Sequence, residues 1–178
     1  GNAVTRDHQI TLASGEPGRL RWEQRQLPLE QLEAEAVLGQ NRLEVRRLLL
    51  DVGDSEVTAS GAVPDFETGN AQLQAQATLA PQLIDFAGLP ESYKPVAPVT
   101  LKSQVQYQQT PQVVTIESLS VESDAALING TARLALGPNA GTSSAKLTAE
   151  QVAVALLSRL AGSPVLIAST GQVDLDAT

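Results

Sequence analysis

The feature that most constrains this chain is a period of two. Val99-Thr100-Leu101-Lys102-Ser103-Gln104-Val105-Gln106-Tyr107-Gln108 places apolar or small residues at odd positions and Thr, Lys and Gln at even ones. Successive side chains of a strand point to opposite sides, so such a segment has one apolar face and one wet face. From about Leu27 onward this alternation dominates, taking in Leu27, Leu29 and later Val37, and helical spacing is the exception. Thr110-Pro111-Gln112 reads as a turn, after which Val113 to Val121 returns as a strand. Its apolar set moves from Val114 and Ile116 to Leu119 and Val121, and that change of parity predicts a β-bulge. A third strand, Ala126 to Leu136, puts Ala126, Ile128, Ala132, Leu134 and Leu136 on one side before a loop beginning at Gly137.

The same phrase occurs twice. Leu43-Glu44-Val45, Leu48-Leu49-Leu50 and Val57 to Gly61 can be laid on Val114-Thr115-Ile116, Leu119-Ser120-Val121 and Ala126 to Gly130, which matches Gly61 with Gly130. Each copy runs on into a further strand, a short amphipathic segment and a Pro-led strand, Pro98-Val99 in one case and Pro164-Val165 in the other. Thr148 with Gln151 forms a capping-box signature, and Val152, Leu156 and Leu160 share a helical face, so a helix is predicted over 148–161. A shorter one is expected near 81–88. The fold expected is therefore mostly β with a few helices (α+β): repeated antiparallel meanders forming a curved sheet or groove, each followed by a short amphipathic helix. The expected divisions are 1–26 as an N-terminal extension or the tail of a preceding repeat, 27–97 as the first repeat and 98–178 as the second. Both repeats would belong to one structural unit of a longer protein.

Composition narrows the chemistry. Twelve Lys and Arg against twenty Asp and Glu give a formal charge of -8, which repels a phosphate backbone. The absence of Cys removes thiolate catalysis and Cys-ligated metal sites. His8 is the only histidine and has no second His to complete a transition-metal site or a positioned partner for base catalysis. Ser55, Ser60, Ser118, Ser120 and Ser123 fall in turns or on strand faces without a nucleophile elbow. Asp51 and Asp54 flank Gly53, and Asp174 and Asp176 alternate with apolar residues. Oxygen ligands of this kind suit calcium, yet the EF-hand spacing and its closing Glu are missing. Arg42, Arg46 and Arg47 form a basic cluster whose alternatives are a solvated strand face and a contact with anionic headgroups. The expectation is a chain without catalytic residues, metal or cofactor. The longest uninterrupted apolar run, Val152 to Leu157, is far short of the roughly twenty residues of a membrane-spanning helix.

With the copies aligned, Leu43 to Gly61, Val114 to Thr131, and Leu147 to Gly162 followed by Ser169 to Val173 resemble the AsmA-like family of Gram-negative envelope proteins. The TamB-like and GspN-like proteins share much of this pattern. The resemblance implies a non-enzymatic periplasmic segment, with the full-length protein anchored in the inner membrane outside these residues. It also implies a β-groove that binds phospholipid acyl chains for lipid transport and outer-membrane biogenesis. The apolar parity nominates Leu43, Val45, Leu48, Leu50, Val57, Leu101, Val105, Val114, Ile116, Ile128, Leu134 and Leu136 as the groove lining. The same side chains could equally pack in a closed core. A second functional reading is a structural or adaptor module that recruits envelope partners through its sheet edges.

Overall fold

The computed structural model describes residues 7–22, 25–86, 96–124, 126–137, 139–150 and 173–177, and 71% of these lie in strands. In chain order the strands are β1 (His8–Ala13), β2 (Gly18–Trp22), β3 (Arg25–Leu38), β4 (Leu43–Val52), β5 (Ser55–Asp65), β6 (Asn70–Leu79), β7 (Val99–Gln108), β8 (Val113–Glu122), β9 (Leu127–Ala135), β10 (Ser144–Glu150) and β11 (Val173–Ala177). Among the described residues one helix, α1 (Pro81–Phe86), follows β6. The strands make a single antiparallel sheet in the order β1-β3-β4-β5-β6-β7-β8-β9-β10-β11. β2 pairs with the first part of β3 and β1 with the last part, so the two share one edge end to end. β1 and β11 do not meet, and the curved sheet stays unclosed.

Local chemistry sets the hairpins. Between the paired residues Val52 and Ser55, Gly53 and Asp54 both have positive φ, 50° and 61°. Two such residues form the tight turn whose twist matches that of the flanking strands. This accounts for the Asp51-Gly53-Asp54 cluster as turn chemistry. At the β8–β9 turn the Ser123 hydroxyl accepts the Ala126 N–H at 3.1 Å.

The bulge predicted in β8 is present. Ile116 pairs with Ala132 and Leu119 with Gly130, so Glu117 and Ser118 together face Thr131. β4 carries its counterpart: Val45 pairs with Gly61 and Leu48 with Ala59, leaving Arg46 and Arg47 opposite Ser60. Val45 and Leu48 thus hold the places of Ile116 and Leu119. The glycines do not coincide. Gly61 lies opposite the residue before its bulge and Gly130 opposite the residue after its own, so the ladder sets Gly61 against Ala132 and Ala59 against Gly130. Matching glycine to glycine displaces the alignment by one rung on a face. Val37 also departs from the expected alternation: a register shift between Leu29 and Gln31 reverses the parity and turns Val37 to the opposite face, yet it is buried there.

The helix expected over 148–161 is not observed at its start. Ser144–Glu150 is strand, with Thr148 opposite Asn129 of β9. The Ala145-Leu147-Ala149 alternation continues through the capping signature, and the ladder supplies partners that a cap would otherwise provide. Residues 151–161 lie outside those described. A helix after every repeat is therefore not part of the fold described. α1 begins beside β6 yet contacts β3, so it lies across the end of the intervening strands. Val52, Ala77, Ala80 and Ile84 are buried at this end, where Ser55 Oγ accepts the Ala80 N–H at 2.8 Å. A smaller buried group at the opposite end includes Val113 and Ala140, held by Arg133 donating to the Ala140 and Thr142 carbonyls.

Gly61 marks a close approach of backbones. A Cβ there would run into the Gln72 carbonyl oxygen, which cannot swing aside as a side chain does, whereas one at Gly15 would meet nothing within 4 Å. Gly61→Ala is expected to lose about 1–3 kcal/mol in urea unfolding. Gly15→Ala is expected to change stability by less than about 0.5 kcal/mol in the same measurement.

Candidate functional site: an apolar sheet face and its polar reverse

Residues paired across an antiparallel ladder point to the same face, so the register can be followed from strand to strand. One transverse row runs Ile10, Ala36, Val45, Gly61, Leu73, Val105, Ile116, Ala132 and Ala145. The next runs Leu12, Ala34, Leu48, Ala59, Ala75, Ser103, Leu119, Gly130 and Leu147. A third runs Leu32, Leu50, Val57, Ala77, Leu101, Val121, Ile128 and Ala149. Within these three rows Ser103 alone carries a polar side-chain atom. At strand spacings of about 4.8 Å and rungs about 6.8 Å apart, the rows cover on the order of 500 Å². Most of this footprint is half-exposed and not buried, and a contiguous apolar patch left open to solvent is often a binding surface.

The nominated residues fall into this pattern. Val45, Leu48, Leu50, Val57, Leu101, Val105, Ile116 and Ile128 lie in the three rows, while Leu43, Val114 and Leu134 continue the same face toward the β3–β4 and β7–β8 turns. Leu136 lies beyond β9, where its N–H bonds the Gln112 carbonyl, and is 60% exposed. None of the twelve is buried. Among the described strand residues, deep burial on this face is confined to the α1 end, at Val52, Ser55 and Ala77. Leu32, Leu73, Ala75 and Leu147 share the face although the alternation did not nominate them. Their available signal is alternation with alanine in Asn70–Leu79 and in Gln31 to Ala36, weak because Ala scores as neither core nor surface. Leu49 points the other way, as the partner of Thr58, and is buried there.

From β5 to β8 the reverse face is polar. Thr58, Gln76, Lys102 and Ser120 form one rung, and Ser60, Gln74, Gln104 and Ser118 the next. Each bulge turns two consecutive residues to this side, Arg46 with Arg47 and Glu117 with Ser118. The predicted basic cluster is divided: Arg42 is at the β3–β4 turn in an ion pair with Asp7 at 2.7 Å, away from Arg46 and Arg47. Arg46 lies 3.6 Å from Glu44, and Gln106 donates to Glu117 at 2.6 Å. With half the side chain in water, such pairs contribute at most about 1 kcal/mol.

His8 is exposed at the start of β1. No group of three or more His, Asp or Glu able to hold a metal occurs among the described residues, nor any helix long and apolar enough to cross a membrane. No family model, curated protein or solved structure matches this chain.

The chain has no Cys, so single introduced thiols report each face cleanly. Leu73→Cys, at a position 47% exposed, is expected to react with a water-soluble thiol reagent at nearly the rate of a free thiol. Val113→Cys, at a position 1% exposed, should react about tenfold or more slowly, after local opening.

Proposed function

We propose that this chain is a periplasmic segment of an AsmA-like envelope protein and that it binds phospholipid acyl chains on its apolar sheet face, as part of lipid transport in outer-membrane biogenesis. The observation that carries this reading is the continuity of the three apolar rows across eight or nine strands, combined with the partial exposure of every nominated residue. An acyl chain needs no specific ligand. About ten methylenes withdrawn from water contribute roughly 8 kcal/mol gross. That is comparable to the cost of association, about 4–15 kcal/mol, so binding would be loose enough for lipid to slide. Headgroups would remain in water at the rim, and no step requires catalysis. Inner-membrane anchoring of the full-length protein belongs to the same proposal.

A second reading is favoured by one observation. β1 forms part of an outer edge with Ile10 48% and Leu12 55% exposed, and it contains no Pro or charged residue after His8. An edge of this kind is a template for strand addition by a protein partner.

Native mass spectrometry of the purified chain with phospholipid separates the two. The lipid reading predicts bound phospholipid that is lost, by tenfold or more, in Val105→Asp and Ile116→Asp with the β-sheet circular dichroism intact, since a carboxylate on this face opposes an alkyl chain. Absence of bound lipid in the unaltered chain would favour the edge reading.

A further inference from the structure

The polar face carries a feature that the lipid reading does not use. Between the rung of Ser60, Gln74, Gln104 and Ser118 and the rung of Thr58, Gln76 and Lys102 runs a depression of about 440 Å³, extending from Arg46 and Arg47 on β4 to Ser118 on β8. The two bulges bound it. In β4 the extra residue brings Arg47 and Arg46 to the same side, and in β8 it brings Ser118 to the far end of the row. Bulges commonly re-aim side chains at binding sites. Every charged residue among the described lining of the depression is a cation, although the chain as a whole carries -8. Arg46 is shared with Glu44, and the β8 bulge carboxylate of Glu117 is engaged by Gln106. Arg47 and Lys102 make no ion pair among the described residues.

The shape and lining select the ligand. Four strand spacings make a channel about 19 Å long, open along its top, which suits an extended chain better than a compact molecule. An acyl chain would desolvate the amides and hydroxyls on both walls. A peptide would find no ladder, because the backbone beneath is already paired within the sheet. Single-stranded nucleic acid requires aromatic platforms for its bases, and none is among the described lining residues. A polyhydroxylated chain meets the Gln carboxamides and the Thr58, Ser60 and Ser118 hydroxyls on both sides, and the cations call for carboxylate or phosphate groups on that chain. We infer that the polar face, between the two bulges, is a binding channel for a linear anionic glycan. This goes beyond the acyl-chain reading and does not depend on it, because the two sites lie on opposite faces.

Isothermal titration calorimetry of the purified chain with an oligogalacturonate tests the inference, with a neutral maltooligosaccharide of the same length and anionic phosphatidylglycerol vesicles as comparisons. Expected is binding of the oligogalacturonate that weakens as salt screens the cations, and that falls about three- to tenfold in Lys102→Gln and in Arg47→Gln. Both substitutions are at positions exposed to solvent, and unchanged thermal unfolding would show that the sheet is intact. The neutral oligosaccharide should bind at least tenfold more weakly. Failure of the oligogalacturonate to bind, equal binding of the neutral chain, or indifference to both substitutions would overturn the inference. So would vesicle binding with the same dependence on Lys102 and Arg47, which would assign the cations to a membrane surface. Val105→Asp, on the other face, should leave glycan binding unchanged whatever it does to lipid.

Discussion

Everything in this structure depends on keeping the apolar side chains of consecutive strands on one face of a single sheet. A slip of one residue in any strand would send its Leu and Val side chains to the opposite side. The chain meets this constraint even where its sequence breaks the alternation. In β4 and β8 the apolar residues resume three positions after Val45 and Ile116 instead of two, and a bulge absorbs the extra residue, so that Leu48 and Leu119 return to the apolar face. The cost is a pair of consecutive side chains on the polar face. Arg46 with Arg47, and Glu117 with Ser118, are the residues placed there, so the device that preserves the apolar face also shapes the reverse face.

Among the described residues the sheet is a single layer, with a different energetic organisation from a sandwich or a barrel. Two facing layers would bury the inner positions of every strand, whereas deep apolar burial here gathers mainly at the sheet's ends: around Val52, Ala80 and Ile84 near α1, and around Val113 and Ala140 at the opposite ends of the strands. The ladder itself carries the middle of the sheet, with its cross-strand pairs contributing about 0.2–1 kcal/mol each. Rigid hairpins such as the positive-φ turn at Gly53-Asp54 hold the register at the strand ends. Leu73, Val105 and Ile116 are left only partly covered, and that exposure gives the acyl-chain proposal its physical basis.

Much of this is legible in the sequence, for definite reasons. Alternation in Val99–Gln108 identifies the faces because a half-exposed strand writes its environment into every second residue, and the parity change between Ile116 and Leu119 locates the β8 bulge from residue order alone. Elements whose apolar face is built from alanine are harder to read, and Ala34, Ala36, Ala75 and Ala77 join the rows unannounced. The Thr148 capping signature misleads because a cap motif is local, while the ladder to β9 is not. Gly61 and Gly130 mislead similarly: the close approach that calls for glycine at each place arises from different neighbours, the Gln72 backbone in one case and Leu147 with the Lys146 backbone in the other. The Arg46-Arg47 pair can be seen in the sequence, but its shared orientation and its alignment with Lys102 and Ser118 depend on pairings across five strands.

The most direct measurement is photocrosslinking with a phospholipid that carries a diazirine in its acyl chain, followed by mass-spectrometric mapping of the adducts. Acyl-chain binding on the apolar face predicts adducts on Leu73, Val105, Ile116 and their neighbours in the three apolar rows. Adducts confined to the polar face, at Gln74, Gln104 and their rung, or an absence of adducts at lipid concentrations that label other lipid-binding domains, would contradict it.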